Sequence, residues 1–203
     1  MGRRIAVYFA GLAITALGIA LVVHSAAGAG PWDAVAVGLK LHFGLTIGMW
    51  SIIAQGCVVA ITAMIDRTRF QFESIFAIIL RSWLLDFWFY VVLKDIDFTS
   101  SVSIQWFTFG LGVLTVGLGI GIYVEANLPK TPLDGLMIAL NNVFGWSFST
   151  ARMVIELSGA AIGFFLGGPV GVGTVIIALT LGRIISIVNR CVKKFIVIHD
   201  VSI

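Results

Sequence analysis

Ser25-Ala26-Ala27-Gly28-Ala29-Gly30-Pro31-Trp32-Asp33 interrupts a long apolar run, and 101 residues later Ala126-Asn127-Leu128-Pro129-Lys130-Thr131-Pro132-Leu133-Asp134 interrupts another. The same offset lays Gly18 on Gly119, Ile19 on Ile120 and Val23 on Val124 before the breaks. After them it lays Leu39, Phe43 and Gly44 on Leu140, Phe144 and Gly145, without a gap. Both halves are strongly apolar, so the pattern reads as two copies of one half-unit inside a membrane. Duplicated membrane proteins with broken helices put a binding site where the breaks meet.

Composition supports the membrane. The chain has 203 residues, 59% hydrophobic and only 11% charged, whereas a soluble domain has about 25% charged residues. Mean hydropathy is +1.06. The net charge of +3 would suit nucleic acid in a soluble protein. Here the basic residues gather at the ends of apolar runs, which accounts for them without a polyanion. Cys57 and Cys191 make neither a metal pattern nor a disulfide framework, and buried thiols are expected. Arg3 and Arg4 precede an apolar run of 5–23, longer than a signal-peptide core, so this run is read as a retained first span.

Spans of sufficient length fall at about 5–23, 47–65 and 74–93 in the first half and 104–124, 149–167 and 174–191 in the second. Segments 31–43 and 132–144 are shorter, roughly 18–20 Å as helices, too short to cross about 30 Å of hydrocarbon comfortably. Reading them as re-entrant gives three crossings per half, with the halves facing opposite ways. Arg3, Arg4, Arg67, Arg69, Lys130, Arg152, Arg190, Lys193 and Lys194 then lie on or near the cytoplasmic side, and only Lys40 and Lys94 outside. If the short segments cross, Arg67 and Arg69 move outside and the bias weakens. The fold expected is all-α transmembrane: six spans as a 3+3 inverted repeat, with a short broken or re-entrant helix in each half. Its parts are a first transmembrane repeat (1–97), a second (98–191) and a cytoplasmic tail (192–203), with both termini cytoplasmic.

Each short helix opens with proline at its first position, and Gly30 and Thr131 stand at the N-cap with Asp33 and Asp134 three residues on. Both aspartates complement the positive helix end. They are also candidates to hold a solute, a cation or a proton, because irregular backbone at membrane depth needs protein or water around it. Arg81 and Arg183 fall within spans and must face the interior or water. Asp86 and Glu156 are candidate ion-pair partners for them, and anion binding or gating is the alternative. Arg152 and Glu156 stand one turn apart on one helix face and align with Ser51 and Gln55, so one copy has gained charge. Glu125 aligns with His24 at the ends of equivalent spans, as gate residues or interfacial groups. Trp83, Trp88, Trp106 and Trp146 are expected interfacial anchors. Gly159-x-x-x-Gly163 permits close helix approach, and the glycine-rich stretch 167–174 lacks a phosphate-loop ending and reads as a tight external turn.

The stretch Gly28–Asp33, with Gly38-Leu39 and Gly44, resembles the YczE/YitT-like family of bacterial integral membrane proteins. Pro132-Leu133-Asp134-Gly135-Leu136-Met137, Arg152, Glu156 and Gly171-x-Gly-Thr174 carry the same resemblance in the second half. It spans about residues 5–190 and implies a multi-pass protein of the bacterial cell (inner) membrane, with Pro31, Trp32, Asp33, Pro132, Asp134, Arg152 and Glu156 as its motif positions.

No nucleophile–base set is visible, His24, His42 and His199 are scattered, and neither enzyme activity, a cofactor nor a metal is expected. The function expected is a transporter or permease for a small polar solute, anionic or zwitterionic, bound near the midplane between the short helices. Asp33, Asp134, Trp32, Arg81, Arg152, Arg183 and Glu156 are the expected substrate-binding residues: the aspartates order the helix starts, the arginines supply positive charge, and Glu156 couples protons. A channel-like pore and a non-transporting partner of an envelope or biosynthetic complex are the alternatives. The expected partners are the solute or ion and the bilayer; nucleic acid is not one, and a homodimer stays open.

Overall fold

A computed structural model describes residues 2–66, 72–126, 128 and 131–195, without the side chains of Arg3, Phe72, Glu73, Asp134, Lys193, Lys194 and Phe195. Among these residues the chain is all-helical, without strands. The order is α1 (Gly2–His24), α2 (Pro31–Phe43), α3 (Ile47–Asp66), α4 (Phe72–Phe87) running into a π-turn (Trp88–Val92), α5 (Val102–Val124), α6 (Pro132–Phe144), α7 (Phe148–Phe165) and α8 (Val172–Phe195). Six helices are long and apolar enough to cross a membrane: Arg4–His24, Ile47–Asp66, Ser74–Val92, Val102–Val124, Phe148–Phe165 and Val172–Val192. The protein is a multi-pass membrane protein. The short helices occupy the expected 31–43 and 132–144.

The punctuation of each half is the same. Pro31 and Pro132 open the short helices, where a missing N–H costs nothing. Gly44 (φ 70°) and Gly145 (φ 68°) close them, donating to the carbonyls of Lys40 and Asn141 at 3.0 Å each. Thr46 then accepts from the Met49 amide at 3.1 Å to start α3, and Ser147 accepts from the Thr150 amide at 3.1 Å to start α7. Every one of these pairs is separated by the repeat offset of 101.

The centre is a seam between α1 and α5. Gly11 faces Gly119 and Tyr123, while Gly18 faces Gly112 and Val116, so the two helices run antiparallel. A Cβ on Gly11 would lie 2.8 Å from the Gly119 carbonyl, and one on Gly18 2.5 Å from the Val116 amide. Backbones this close need small residues, and polar Thr15 on the seam is satisfied by the Gly11 carbonyl at 2.8 Å. Around the seam, α4 packs on α1 and α8 on α5, while α2 packs on α7 and α6 on α3. The largest buried cluster includes Ala16, Ile19, Ala20, Ile47 and Leu85.

Some expectations are corrected. Cys57 and Cys191 are both exposed on the chain's surface rather than buried, because they face away from the neighbouring helices. Trp88 is half-buried against the central cluster, with its indole N–H buried. Trp83 (68% exposed) does stand on the surface. The turn at 67–69, Lys130 and the tail beyond 195 lie outside the described residues.

Candidate functional site

The first break is held by the turn between α7 and α8. The Ala29 amide donates to the Pro169 carbonyl at 2.8 Å, and the Gly173 amide donates to the Ala27 carbonyl at 3.0 Å. Ser25, fully buried, donates to the Val22 carbonyl at 2.6 Å. A Cβ on Gly28 would sit 2.7 Å from the Thr174 amide, and one on Gly173 2.5 Å from the Ala27 carbonyl. The glycine-rich stretch is therefore a tight turn whose second task is to satisfy unwound backbone in an apolar setting.

Asp33 lies in the first turn of α2, half-buried, with its carboxylate folded back over Gly30. A Cβ on Gly30 would fall 2.7 Å from Asp33 Oδ2, so the bare N-cap residue makes room for the charge. Arg81 on α4 is half-buried as well. The two charges come from different helices. Trp32 points the other way: its Nε1 donates to the Ile155 carbonyl at 3.2 Å, and its ring lies on Gly159. It joins a cluster with Val58, Leu136, Leu140, Ala151 and Ile155, which links α2 to the second repeat.

The remaining expected site residues are not drawn to this point. Arg152 and Glu156 form an i,i+4 ion pair at 2.7 Å on α7, with side chains 48% and 23% exposed. Arg183 is exposed on α8. Asp134 is placed in the first turn of α6, but its side chain lies outside those described. Asp86 does not pair with Arg81; it takes the Thr46 hydroxyl and the Gly48 amide (2.8 Å), and so steadies the start of α3. His24 stacks on Phe89 at 4.0 Å and shares a 3.2 Å hydrogen bond with the Phe89 carbonyl, while Glu125 accepts from Asn189 at 2.6 Å. The two equivalent residues thus tie equivalent span ends to α4 and α8.

A family of unknown function, DUF6198, matches residues 2–190. The chain belongs to that family. It is 35% identical to the uncharacterized membrane protein YczE of Bacillus subtilis (strain 168) over 179 residues, 88% of this chain and 81% of the relative. It is 26% identical to the uncharacterized protein YyaS of the same organism, covering 92% of each chain. An uncharacterized protein of Haemophilus influenzae (strain ATCC 51907 / DSM 11121 / KW20 / Rd) is 28% identical, over 91% of this chain and 82% of the relative. No solved structure matches. The resemblance to YczE-like membrane proteins is borne out.

Sequence reasoning left three polar residues of this DUF6198 chain outside the site. Ser51 (3% exposed) and Gln55 (5%) on α3 and Ser82 (0%) on α4 are buried, and α3 packs on α4. The hydroxyls of Ser51 and Ser82 have no hydrogen-bond partner among the described residues. Buried hydroxyls are normally paired. The i,i+4 spacing of Ser51 and Gln55 on an otherwise apolar helix was the available signal.

Proposed function

We propose that this protein is a transporter or permease for a small polar solute, anionic or zwitterionic, built as a 3+3 inverted repeat in the bacterial cell membrane. The observation that carries the reading is Asp33, half-buried at the head of a broken helix, with Arg81 half-buried on another helix of an apolar protein. Charges are retained there at a cost that packing alone does not recover, and in membrane proteins they mark solute and ion paths. A zwitterion suits both signs, and an anion suits Arg81 together with the N-terminus of α2. Ser51, Gln55 and Ser82 extend the polar surface along α3 and α4.

The antiparallel α1–α5 seam supports the inverted arrangement, because it joins equivalent glycines crosswise: Gly11 to Gly119 and Gly18 to Gly112. Rocking of one repeat on the other about this seam would expose the site alternately, while α2 and α6 stay re-entrant at opposite faces. Both termini are cytoplasmic in this scheme. The chemistry needs no cofactor or metal and is not enzymatic. Arg152, Glu156 and Arg183 remain candidates for a wider solute path, with Asp134 as the second-half counterpart of Asp33.

The test is uptake into proteoliposomes across a panel of small anions and amino acids. Saturable uptake that Asp33→Asn and Arg81→Gln each lower at least tenfold, with unchanged elution of the purified protein, is expected. Absence of binding and uptake across the panel contradicts the reading, and flux that never saturates favours a pore.

A further inference from the structure

The repeat breaks its symmetry most sharply between the second and third long helices of each half. In the first half α3 packs along α4, with Ser51, Gln55 and Ser82 buried and Asp86 bound to the start of α3. Moved by 101 residues these positions become Arg152, Glu156, Arg183 and Ile187. Among the described residues α8 packs along α5, and no run of contacts joins it to α7. The face that α4 covers on α3 is thus uncovered on α7. Arg152 is 48% exposed, and Met153 and Leu157 beside it are 57% and 62% exposed.

On α8 the packed side carries Ile184 against Gly117 and Val188 against Gly121. The other side carries exposed Val175, Leu179, Gly182, Arg183, Ser186 and Ile187. Arg183 has no hydrogen bond or ion pair among the described residues. It lies nine residues from Val192, roughly 14 Å from that end of the span, which is deep for a charge facing lipid. Glu156 is the acidic residue of α7. It lies about 14 Å from the outer end of α7, and Arg183 about 17 Å from the start of α8, so the opposite charges share a depth. Ala178, Gly182 and Ser186 are all exposed at four-residue spacing, and a Cβ on Gly182 would meet nothing within 4 Å. Another helix can approach there closely.

We propose that the open α7–α8 face is the interface with a second copy of this chain, the two related by a two-fold axis along the membrane normal. Such an interface is self-complementary: Arg183 of each copy joins the Arg152–Glu156 pair of the other at a depth matched to about 3 Å, and the small residues of α8 seat α7 of the partner. A lipid or a foreign protein would leave the matched depth of the two charges without a reason. The inference is independent of what the protein carries.

Two tagged chains, both Cys57→Ser and Cys191→Ser, one with Leu157→Cys and the other with Leu179→Cys, are co-expressed and oxidised mildly in the membrane. A disulfide joining the two tags is expected. Native mass spectrometry from lipid nanodiscs should show a dimer, which Arg183→Ala weakens at least tenfold and Arg183→Lys preserves. A wild-type monomer in nanodiscs overturns the proposal. So does a disulfide within one chain carrying both cysteines when no link forms between tags, because α8 would then close on its own α7.

Discussion

Gly30 has no side chain where Asp33 folds its carboxylate, and that vacancy decides what the first break can do. Gly30→Ala puts a methyl 2.7 Å from Asp33 Oδ2, so it should turn the carboxylate away and cut uptake as Asp33→Asn does. Its effect on stability should be about 1 kcal/mol, the scale of a poor N-cap; uptake at the wild-type level would show that the carboxylate has no solute to meet. Trp32 offers a contrast, because its ring is anchored on α7. Trp32→Phe removes the 3.2 Å bond to the Ile155 carbonyl and should cost about 1 kcal/mol in thermal unfolding, with the solute affinity unchanged. Outside the membrane, Asp97 accepts from the Thr99 amide and hydroxyl, both at 2.8 Å, and these donors hold its carboxyl below the ordinary aspartate value of 3.8. A lowered value stabilises the turn at neutral pH and withdraws that support only as pH falls below 3.8. The protection factor of the Thr99 amide, which corrects for the intrinsic pH dependence of exchange, should therefore stay flat from pH 7 to that point and fall beyond it.

At the scale of elements, the two halves solve the same problems with equivalent residues until charge intervenes. Thr46 and Ser147 cap α3 and α7 in the same way, but only Thr46 also donates to Asp86. Ser147→Ala should cost about 1 kcal/mol, and Thr46→Ala more, because it also strips a donor from a half-buried carboxylate. Equal losses in thermal unfolding would mean that Asp86 contributes nothing at the cap. These boundaries were legible beforehand, since proline, glycine and hydroxyl residues act through local backbone geometry. The short helices accordingly fall at 31–43 and 132–144, as read. Tertiary roles were not legible. Nothing in the spelling of Gly167–Thr174 says that its backbone answers the first break, and Asp86 could not be told from a partner for Arg81 until α3 was placed beside it.

At the scale of the whole molecule, duplication supplies both the frame and its exceptions. The apolar content and six spans follow from composition, which no packing detail can alter. The candidate site was legible only in part: Asp33 and Arg81 are half-buried and Arg152 and Arg183 exposed, whereas the buried polar residues are Ser51, Gln55 and Ser82, which the spelling does not single out. Burial depends on which helices meet, and a repeat predicts equivalent environments where α8 departs from them. The α1–α5 seam is the axis on which the account depends. Gly18→Val would drive a side chain into the Val116 amide, where neither backbone can yield, and should abolish folded protein in detergent.

The most direct measurement asks on which side of the membrane the two short helices end. His42 and Val143 are both exposed and stand 101 residues apart, one at the end of each short helix. With the native cysteines replaced by serine, His42→Cys and Val143→Cys are labelled separately with a membrane-impermeant maleimide in intact cells and in inverted vesicles. Opposed repeats with re-entrant short helices predict His42→Cys labelled only from outside and Val143→Cys only from inside. Labelling of both from the same side would contradict the inverted repeat, and with it the site proposed between its halves.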